Sequence, residues 1–414
     1  MRKLAEILFL AHRMPFPPDR GDKIRSYHVL NALAAIAPVH VATFAENERD
    51  LSHEGHLAGI AKSHCLVTRD KPLWRAGVEA LFSGKPVSLA AFHDVRLQDY
   101  VRKVIAERRI GAIYVFSGQM GQYVPDDYSG RVLVDLVDVD SAKFEAYAQA
   151  GFRPRRWIDA REGRLLAIEE GRLARRAHET LLVSEAEAEL FKSRLGDAEG
   201  ARVSVLGNGI DSGFFDPVLS QPAPALAYAR GPHIVFTGQM DYAPNAAAAL
   251  RLMQNILPRI RAVQPQAQCH IVGRNPGAAL LAHDRHGGCR VWGAVEDIRP
   301  FIAAADIVAA PLAIARGVQN KVLEAMAMAR PVLLTPEAAT GIGGEDGVHF
   351  AVADTDEALA RRALEMLEAP EAMTAMGRAA REYVVRNRSW QTMLCRLPEL
   401  LGRKPAEPER RHVA

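Results

Sequence analysis

The sequence predicts an α/β protein of two tandem halves, each a parallel sheet covered by helices. Three observations predict it. The chain has 414 residues, roughly two to three times the common domain size, so two domains are expected. Short apolar runs alternate with helical patterns throughout, and unbroken apolar strands spaced by helices mark parallel sheets buried on both faces. That rhythm breaks once, at 213–232, and then restarts.

In the first half the strand candidates are 4–11, 39–44, 64–68, 111–117, 131–137, 180–184 and 203–206. Helical patterns fill 22–37, 94–109, 155–178 and 185–195. In the second half the strands are 233–238, 268–273, 289–293, 306–311, 331–335 and 347–352. Helices fit 244–264, 295–304, 317–329, 355–368 and 370–385. The break carries Asp216-Pro217, Gln221-Pro222-Ala223-Pro224 and Gly231-Pro232, a density of proline and glycine that suits a linker. A last helical pattern, about 389–401, holds Trp390, Met393, Leu394, Leu397, Leu400 and Leu401 and needs a partner surface. The tail 403–414 is charged, contains proline and is expected to fray. Tandem sheets of this kind bind ligands at the carboxyl ends of their strands, here in an expected cleft between the halves.

Apolar residues make up 49% and charged residues 24% of the chain, with a formal net charge of +3. This is ordinary globular composition and argues against a general nucleic-acid binder. Cys65, Cys269, Cys289 and Cys395 form no CxxC pair and no zinc spacing, so free thiols in a reducing compartment are expected. The start Met1-Arg2-Lys3, followed by an apolar run, resembles a signal peptide. Glu6 interrupts that run, and His12, Arg13 and a proline cluster stand where a cleavage site would be, so a first buried strand is the better reading. No apolar run approaches the ~20 residues of a spanning helix. A cytoplasmic protein is expected, with contact at the inner face of the membrane left open.

The most informative stretch is Pro311-Leu312-Ala313-Ile314-Ala315-Arg316-Gly317-Val318-Gln319-Asn320-Lys321-Val322-Leu323-Glu324-Ala325-Met326. A helix starting near Gly317 presents free amides at Gly317, Val318, Gln319 and Asn320, which attract phosphate. Gly317 removes a side chain where a ligand approaches. Lys321 adds a positive charge in the first turn, and Arg316 a second with fork geometry. Glu324, three residues after Lys321, shares its face and can accept both hydroxyls of a ribose. Cations for a diphosphate beside an acceptor for a diol are what a nucleotide-sugar requires. The competing reading is a surface helix with an ordinary Lys–Glu pair.

The pattern G-x-x-N-K-x-L-E-A-M-A-x-x-x-P-V from Gly317 to Val332 resembles the donor-site signature of glycosyltransferase family 4, a retaining group of GT-B fold. Phe236-Thr237-Gly238-Gln239-Met240-Asp241 resembles the first strand and loop of the GT-B C-terminal half. Ile271-Val272-Gly273 and Val291-Trp292-Gly293-Ala294-Val295 resemble its next strand ends. Trp390 resembles the element that crosses back onto the N-terminal half. His12-Arg13-Met14-Pro15-Phe16-Pro17-Pro18-Asp19-Arg20-Gly21-Asp22-Lys23-Ile24-Arg25-Ser26 and Val134-Asp135-Leu136-Val137-Asp138-Val139-Asp140-Ser141 narrow the likeness. They resemble glycosyltransferases associated with exosortase A, the PEP-CTERM sorting system, linked to bacterial exopolysaccharide assembly.

The resemblance implies two Rossmann-like doubly wound domains: 1–212, joined by a returning helix 386–402, then a linker 213–232, then a nucleotide-sugar-binding domain 233–385. It implies a retaining, metal-independent transfer from a UDP- or GDP-linked sugar to a glycan or lipid-linked acceptor, without a cofactor. Donor binding falls to Glu324, Gly317, Val318, Asn320, Gly238, Gln239, Gly273, Val295 and Gly21, and catalysis to Lys321, Arg316 and Asp138. The family often has two glutamates eight positions apart; here Glu324 keeps the second and Arg316 holds the first. The family's arginine after the first C-terminal strand is replaced by Gln239, and no lysine follows in that loop. Arg316 with Lys321 can supply the missing charge.

On the N-terminal side, Gly21 lies between a strand end and a helix, in a loop that in GT-B enzymes reaches the donor phosphates; a turn glycine is the plain alternative. Asp138 and Asp140 form a D-x-D, which suits a hard metal ion, an acceptor hydroxyl or simple helix capping at Asp140 or Ser141. The arginine-rich segment 152–176 reads as a salt-bridged helix or as a face for anionic lipid. Leu73-Trp74-Arg75-Ala76-Gly77-Val78-Glu79-Ala80-Leu81-Phe82 is amphipathic and either joins that face or packs in the core. His12 and His28 flank the expected cleft without a ligand pattern. Rival readings are a GT-B epimerase or hydrolase, a non-catalytic scaffold of the same fold, and a Rossmann oxidoreductase, the last disfavoured by the missing glycine fingerprint.

Overall fold

The computed structural model describes residues 5–150, 155–196, 200–227, 230–315 and 318–403. The chain divides into two compact units, 1–208 with 393–414, and 209–392. Each is a parallel sheet with helices.

The first unit contains β1 (Glu6–Ala11), β2 (Val39–Ala45), β3 (Ser63–Thr68), β4 (Ile110–Phe116), β5 (Arg131–Val137), β6 (Glu179–Leu182) and β7 (Val203–Val205). Their order is β3-β2-β1-β4-β5-β6-β7, with every pairing parallel. The direction of winding reverses between β1 and β4, so the crevice at their carboxyl ends is this sheet's switch point. β1 and β2 are almost wholly buried, as unbroken apolar runs require. Helix α1 (Gly21–Ile36) follows β1. A buried ion pair fixes the unit: Arg25, 1% exposed, donates to both oxygens of Asp135 at 3.0 and 3.1 Å, to Leu206 O and to Asn208. Tyr114 adds a 2.7 Å hydrogen bond to the same carboxylate. Two residues of the N-terminal motif, Lys23 and Arg25, are thus internal struts: Lys23 is buried on Asp50 at 2.5 Å.

The second unit contains β8 (His233–Thr237), β9 (Gln268–Val272), β10 (Cys289–Gly293), β11 (Ile307–Ala310), β12 (Val332–Leu334) and β13 (Ala351–Val352). The order is β10-β9-β8-β11-β12-β13, again parallel, with the switch point between β8 and β11. The expected helix 244–264 is interrupted by a π turn, Leu252–Ile256, just before Pro258, which cannot donate to a regular helical ladder.

Side-chain contacts hold Phe214 and Asp216 at the start of the segment 213–232. Asp216 pairs with Arg381 at 2.9 Å, and Arg299 donates to Phe214 O while its guanidinium sits 3.8 Å from the Phe214 ring centroid. The single helix expected at 389–401 is two short turns, Trp390–Met393 and Leu397–Leu400. Pro398 has no N–H for the carbonyl four residues back and its ring would crowd it. Trp390 belongs to the second unit, where Ile210 bridges Ser389. The return to the first unit comes after Thr392. There Arg131 donates to Leu400 O at 2.5 Å, and Arg403 to Ile36 O and Ala5 O.

Candidate functional site

Three strand ends of the second unit are stripped of side chains. Gly238, Gly273 and Gly293 follow or close β8, β9 and β10 with φ of +155°, +152° and +70°. A Cβ on Gly273 would lie 1.6 Å from Gly238 O. Gly238 N donates to Val272 O and Gly273 N to Gly293 O, at 3.1 and 2.9 Å. The backbone there lies as close as backbone can, and leaves a bare floor at the carboxyl edge of the sheet.

Two helices begin over this edge. Helix α2 (Ala243–Arg251) follows β8 with Pro244 in its first turn. Helix α3 (Asn320–Ala327) follows β11. Helix α3 is anchored by Val322, Leu323, Ala325, Met326 and Ala327, all buried, which leaves Asn320, Lys321 and Glu324 off the core side. Lys321 Nζ donates to Asn245 Oδ1 on α2, so one hydrogen bond joins the two helices of the switch point. The Asn245 amide in turn donates to Gln239 O at 2.9 Å. The ammonium also sits 4.7 Å from the Phe236 ring centroid, a cation–π contact. Lys321 therefore does not spend its charge on an ordinary ion pair with Glu324.

Burial pushes the Lys321 ammonium down to about 8, with the Glu324 charge pulling the other way. Burial pushes the Glu324 carboxyl up to about 7, partly offset by Lys321. Two neighbouring groups whose charged forms are both disfavoured, at strand ends with open backbone, are poised to accept charge or hydrogen bonds from a ligand.

The structure corrects the start of the helix. It begins at Asn320, not Gly317, because Gln319 is extended at φ −85°, ψ 104°. The first-turn amides left free of helical partners are therefore those of Asn320 and Lys321. Val318 is half-buried and packs near Gly341. Arg316 and Gly317 lie outside the described residues. Val295, two residues past β10, is half-buried against the core. Gln239 accepts a 2.8 Å hydrogen bond from Arg274, an exposed side chain just past Gly273. Arg274 was not legible as a site residue. It brings a guanidinium to the position where the sequence has a glutamine, and Met240 N on Arg274 O ties the two loops together.

In the first unit, Gly21 opens α1 with no neighbour within 4 Å of a would-be Cβ. Around it is a charge cluster: Arg13 to Asp22 at 2.7 Å and to Glu46 at 2.8 Å, and Arg20 to Glu46 at 2.5 Å. Burial would raise the Asp22 carboxyl, but the His12 hydrogen bond and Arg13 hold it well below the usual range. His12 is buried against Phe116, ring centroids 5.8 Å apart, and burial lowers its pKa.

Asp138 follows Val137, whose φ of +70° is strained for a β-branched residue. Burial raises the Asp138 carboxyl. Asp140 is taken by Lys143 at 3.0 Å. The capping expected of Asp140 or Ser141 comes from other helices instead: Glu170 accepts from Ser141 N and Oγ, and Glu187 from Val139 N. Among the described residues no group of three or more His, Cys, Asp or Glu side chains is placed to hold a metal ion. A cavity of about 940 Å³ in this unit, lined by Lys85, Arg102, Gln122, Asp126 and Arg172 among others, touches none of the predicted donor-site residues.

Two parallel sheets with helices, each with a switch point, define an α/β protein of GT-B fold. Residues 231–369, the part that carries Lys321 and Glu324, match the family model described as glycosyl transferases group 1. The solved structures agree on the fold. Sucrose-phosphate synthase from Thermosynechococcus elongatus is 15% identical, with a TM-score of 0.62 over 96% of this chain and 98% of that one. HepE from Anabaena, solved in complex with UDP-glucose, is 16% identical with a TM-score of 0.62, over 96% of this chain and 100% of that one. WaaG, a glycosyltransferase involved in lipopolysaccharide biosynthesis, is 16% identical with a TM-score of 0.61, over 96% and 100% of the two chains. No curated protein matches in sequence. The chain therefore has the GT-B fold, and its residues 231–369 are similar to group 1 glycosyl transferases.

Proposed function

We propose that the protein is a retaining glycosyltransferase that draws its sugar from a UDP- or GDP-linked donor held by the second unit. The observation that carries this reading is the Lys321–Asn245 bridge across the β8/β11 switch point, with Glu324 one turn further along α3. Lys321, Arg274 and, from the sequence, Arg316 hold the diphosphate. Glu324 accepts the ribose hydroxyls. Gly238, Gly273 and Gly317 let the donor approach backbone, with Gln239, Val295, Val318 and Asn320 around the nucleotide. Their cations stabilise the leaving phosphate as the glycosidic bond breaks, so the transfer is read as metal-independent. Gly21 and Asp138 are assigned to the first unit's side of the reaction, Asp138 beside the acceptor hydroxyl. HepE, solved with UDP and with UDP-glucose, supports a nucleotide-sugar donor by analogy. The resemblance to family 4 and to the exosortase-associated group supports retention and a glycan or lipid-linked acceptor in exopolysaccharide assembly.

The test is calorimetric titration with UDP and GDP. Charge-assisted hydrogen bonds contribute about 1.5–3 kcal/mol each, so Lys321→Ala and Glu324→Ala should each weaken binding roughly 10- to 100-fold. Arg274→Ala, at an exposed position, should cost less than about tenfold. Near-normal affinity in both Lys321→Ala and Glu324→Ala sinks the assignment. Tight nucleotide binding without turnover of any nucleotide-sugar would leave a binding scaffold instead of an enzyme.

A further inference from the structure

Cys269 and Cys289 stand side by side in the second unit. They are Cα partners in the parallel pair β9/β10, so both side chains leave the same face of the sheet. Neighbouring strands lie about 4.8 Å apart, inside the ~4.4–6.8 Å that the Cα atoms of a disulfide usually span. Both are free thiols. The Cys269 thiol donates a hydrogen bond to the Cys289 sulfur.

Their surroundings differ. Cys269 is wholly buried in an inner strand, while Cys289 opens β10, the edge strand of the sheet. Gly287 and Gly288 precede it with φ of +58° and +83°. The Arg261 guanidinium fills the place of a side chain at Gly288, where a Cβ would collide with its Nη1. Arg261, on the helix Leu257–Val263, is held there by donating to Ala267 O at 2.6 Å. A cation beside a thiol favours the thiolate, the reactive form. The Cys269 hydrogen bond and Arg261 hold the Cys289 thiol below its ordinary value against the pull of burial. The same hydrogen bond, with burial, pushes the Cys269 thiol well above its own. A nucleophilic sulfur at the sheet edge thus has a protonated thiol in contact with it.

We propose that Cys289 and Cys269 form an oxidation site, a dithiol that hydrogen peroxide closes to a disulfide bracing β10 against β9. The Cys289 thiolate attacks one peroxide oxygen. The O–O bond breaks, the departing hydroxide takes a proton to become water, and a sulfenic acid is left on Cys289. The Cys269 sulfur then attacks the Cys289 sulfur. The S–S bond forms, the S–O bond breaks, and the hydroxide leaves as water with the Cys269 proton. Two thiols give up two electrons, and the peroxide is reduced to two waters. The contact with Cys269 diverts the sulfenic acid to a disulfide before it can reach sulfinic acid. The bond lies at the amino ends of the two strands, whereas Gly273 and Gly293 lie at their carboxyl ends. The bare floor is therefore braced from its far edge and left open.

The experiment treats the full chain with hydrogen peroxide, alkylates the remaining thiols and maps the tryptic peptides by mass. Trypsin cuts after Arg274 and Arg285, so the two cysteines fall on separate peptides. The expected product is those two peptides joined, and separated again by dithiothreitol. Cys269→Ala should strand the sulfenic acid on Cys289, where dimedone traps it, and Cys289→Ser should leave Cys269 unmodified. The oxidised parent should unfold at a urea midpoint roughly 1 M above the reduced one, since the bond closes a loop of about twenty residues. Three results overturn the proposal: no joined peptides from the folded chain once Cys395 is fully oxidised, no dimedone adduct on Cys289 in Cys269→Ala, or a urea midpoint no higher after the bond has formed. The peptide map of the parent needs no variant, so a variant that fails to fold leaves the test standing. UDP titration of the oxidised and reduced chains should agree, and it reports on the donor site separately.

Discussion

Lys321 and Glu324 face opposite electrostatic demands when a nucleotide binds. A diphosphate needs the ammonium, and a ribose diol needs the carboxylate. Burial places the first near 8 and the second near 7. Without ligand, both groups oppose ionisation. Between the usual carboxylate range and about 7, folded Glu324 keeps a proton that the unfolded chain has lost, so its contribution to stability falls as pH rises through that window. Between about 8 and the usual amine range, folded Lys321 has already lost a proton that the unfolded chain keeps, so stability rises with pH there. UDP affinity is expected to peak between these two values and fall on either side. Glu324→Gln should flatten the acid limb and leave the basic one. Calorimetry across the pH range checks this; a profile that does not change between about pH 6 and 9 would sink the assignment. The pair was legible in the sequence because its members lie one turn apart. Asn245 and Arg274 were not, since their partners Lys321 and Gln239 are 76 and 35 residues away, and only the folded sheet brings them together.

At the scale of elements, the strand ends decide where a ligand can sit. Gly273 has both a left-handed φ and a backbone oxygen where a side chain would go. Gly273→Ala should destabilise the second unit by at least about 2–3 kcal/mol, because β9 cannot shift without breaking the Gly238–Val272 hydrogen bond. Urea unfolding measures it, and a loss below about 1 kcal/mol would show that the edge yields. Every strand predicted from an apolar run overlaps an observed one, since a doubly covered strand has no polar face to confuse the pattern. Helix boundaries read less well. The start of α3 is set by the extended Gln319, which no residue type announces. The helix Leu73–Ser83 left two readings open for a sharper reason. Periodicity reveals that a helix has an apolar face, not that this face is the inward one; here small alanines pack and the large side chains stay out.

For the molecule as a whole, the two units differ in how the chain builds them. The second is one continuous stretch, 209–392, while the first is made of 1–208 and a returning segment from Met393. Residues 209–392 expressed alone should unfold cooperatively and keep UDP binding. Residues 1–208 alone should melt below the same piece joined by a flexible linker to 393–403, because Arg131 loses Leu400 O and the carbonyls of Ile36 and Ala5 lose Arg403. Identical melting of the two first-unit versions would make the return ornamental. The doubling of architecture was readable in the rhythm of apolar runs and helical patterns. The anchors of the returning segment were not, since they are main-chain carbonyls that every residue carries.

That return also imposes a timetable on synthesis. A nascent chain emerging from the ribosome can finish the sheet of its later unit while the earlier one still waits for Leu400 and Arg403 to arrive. The half made first is therefore the half completed last.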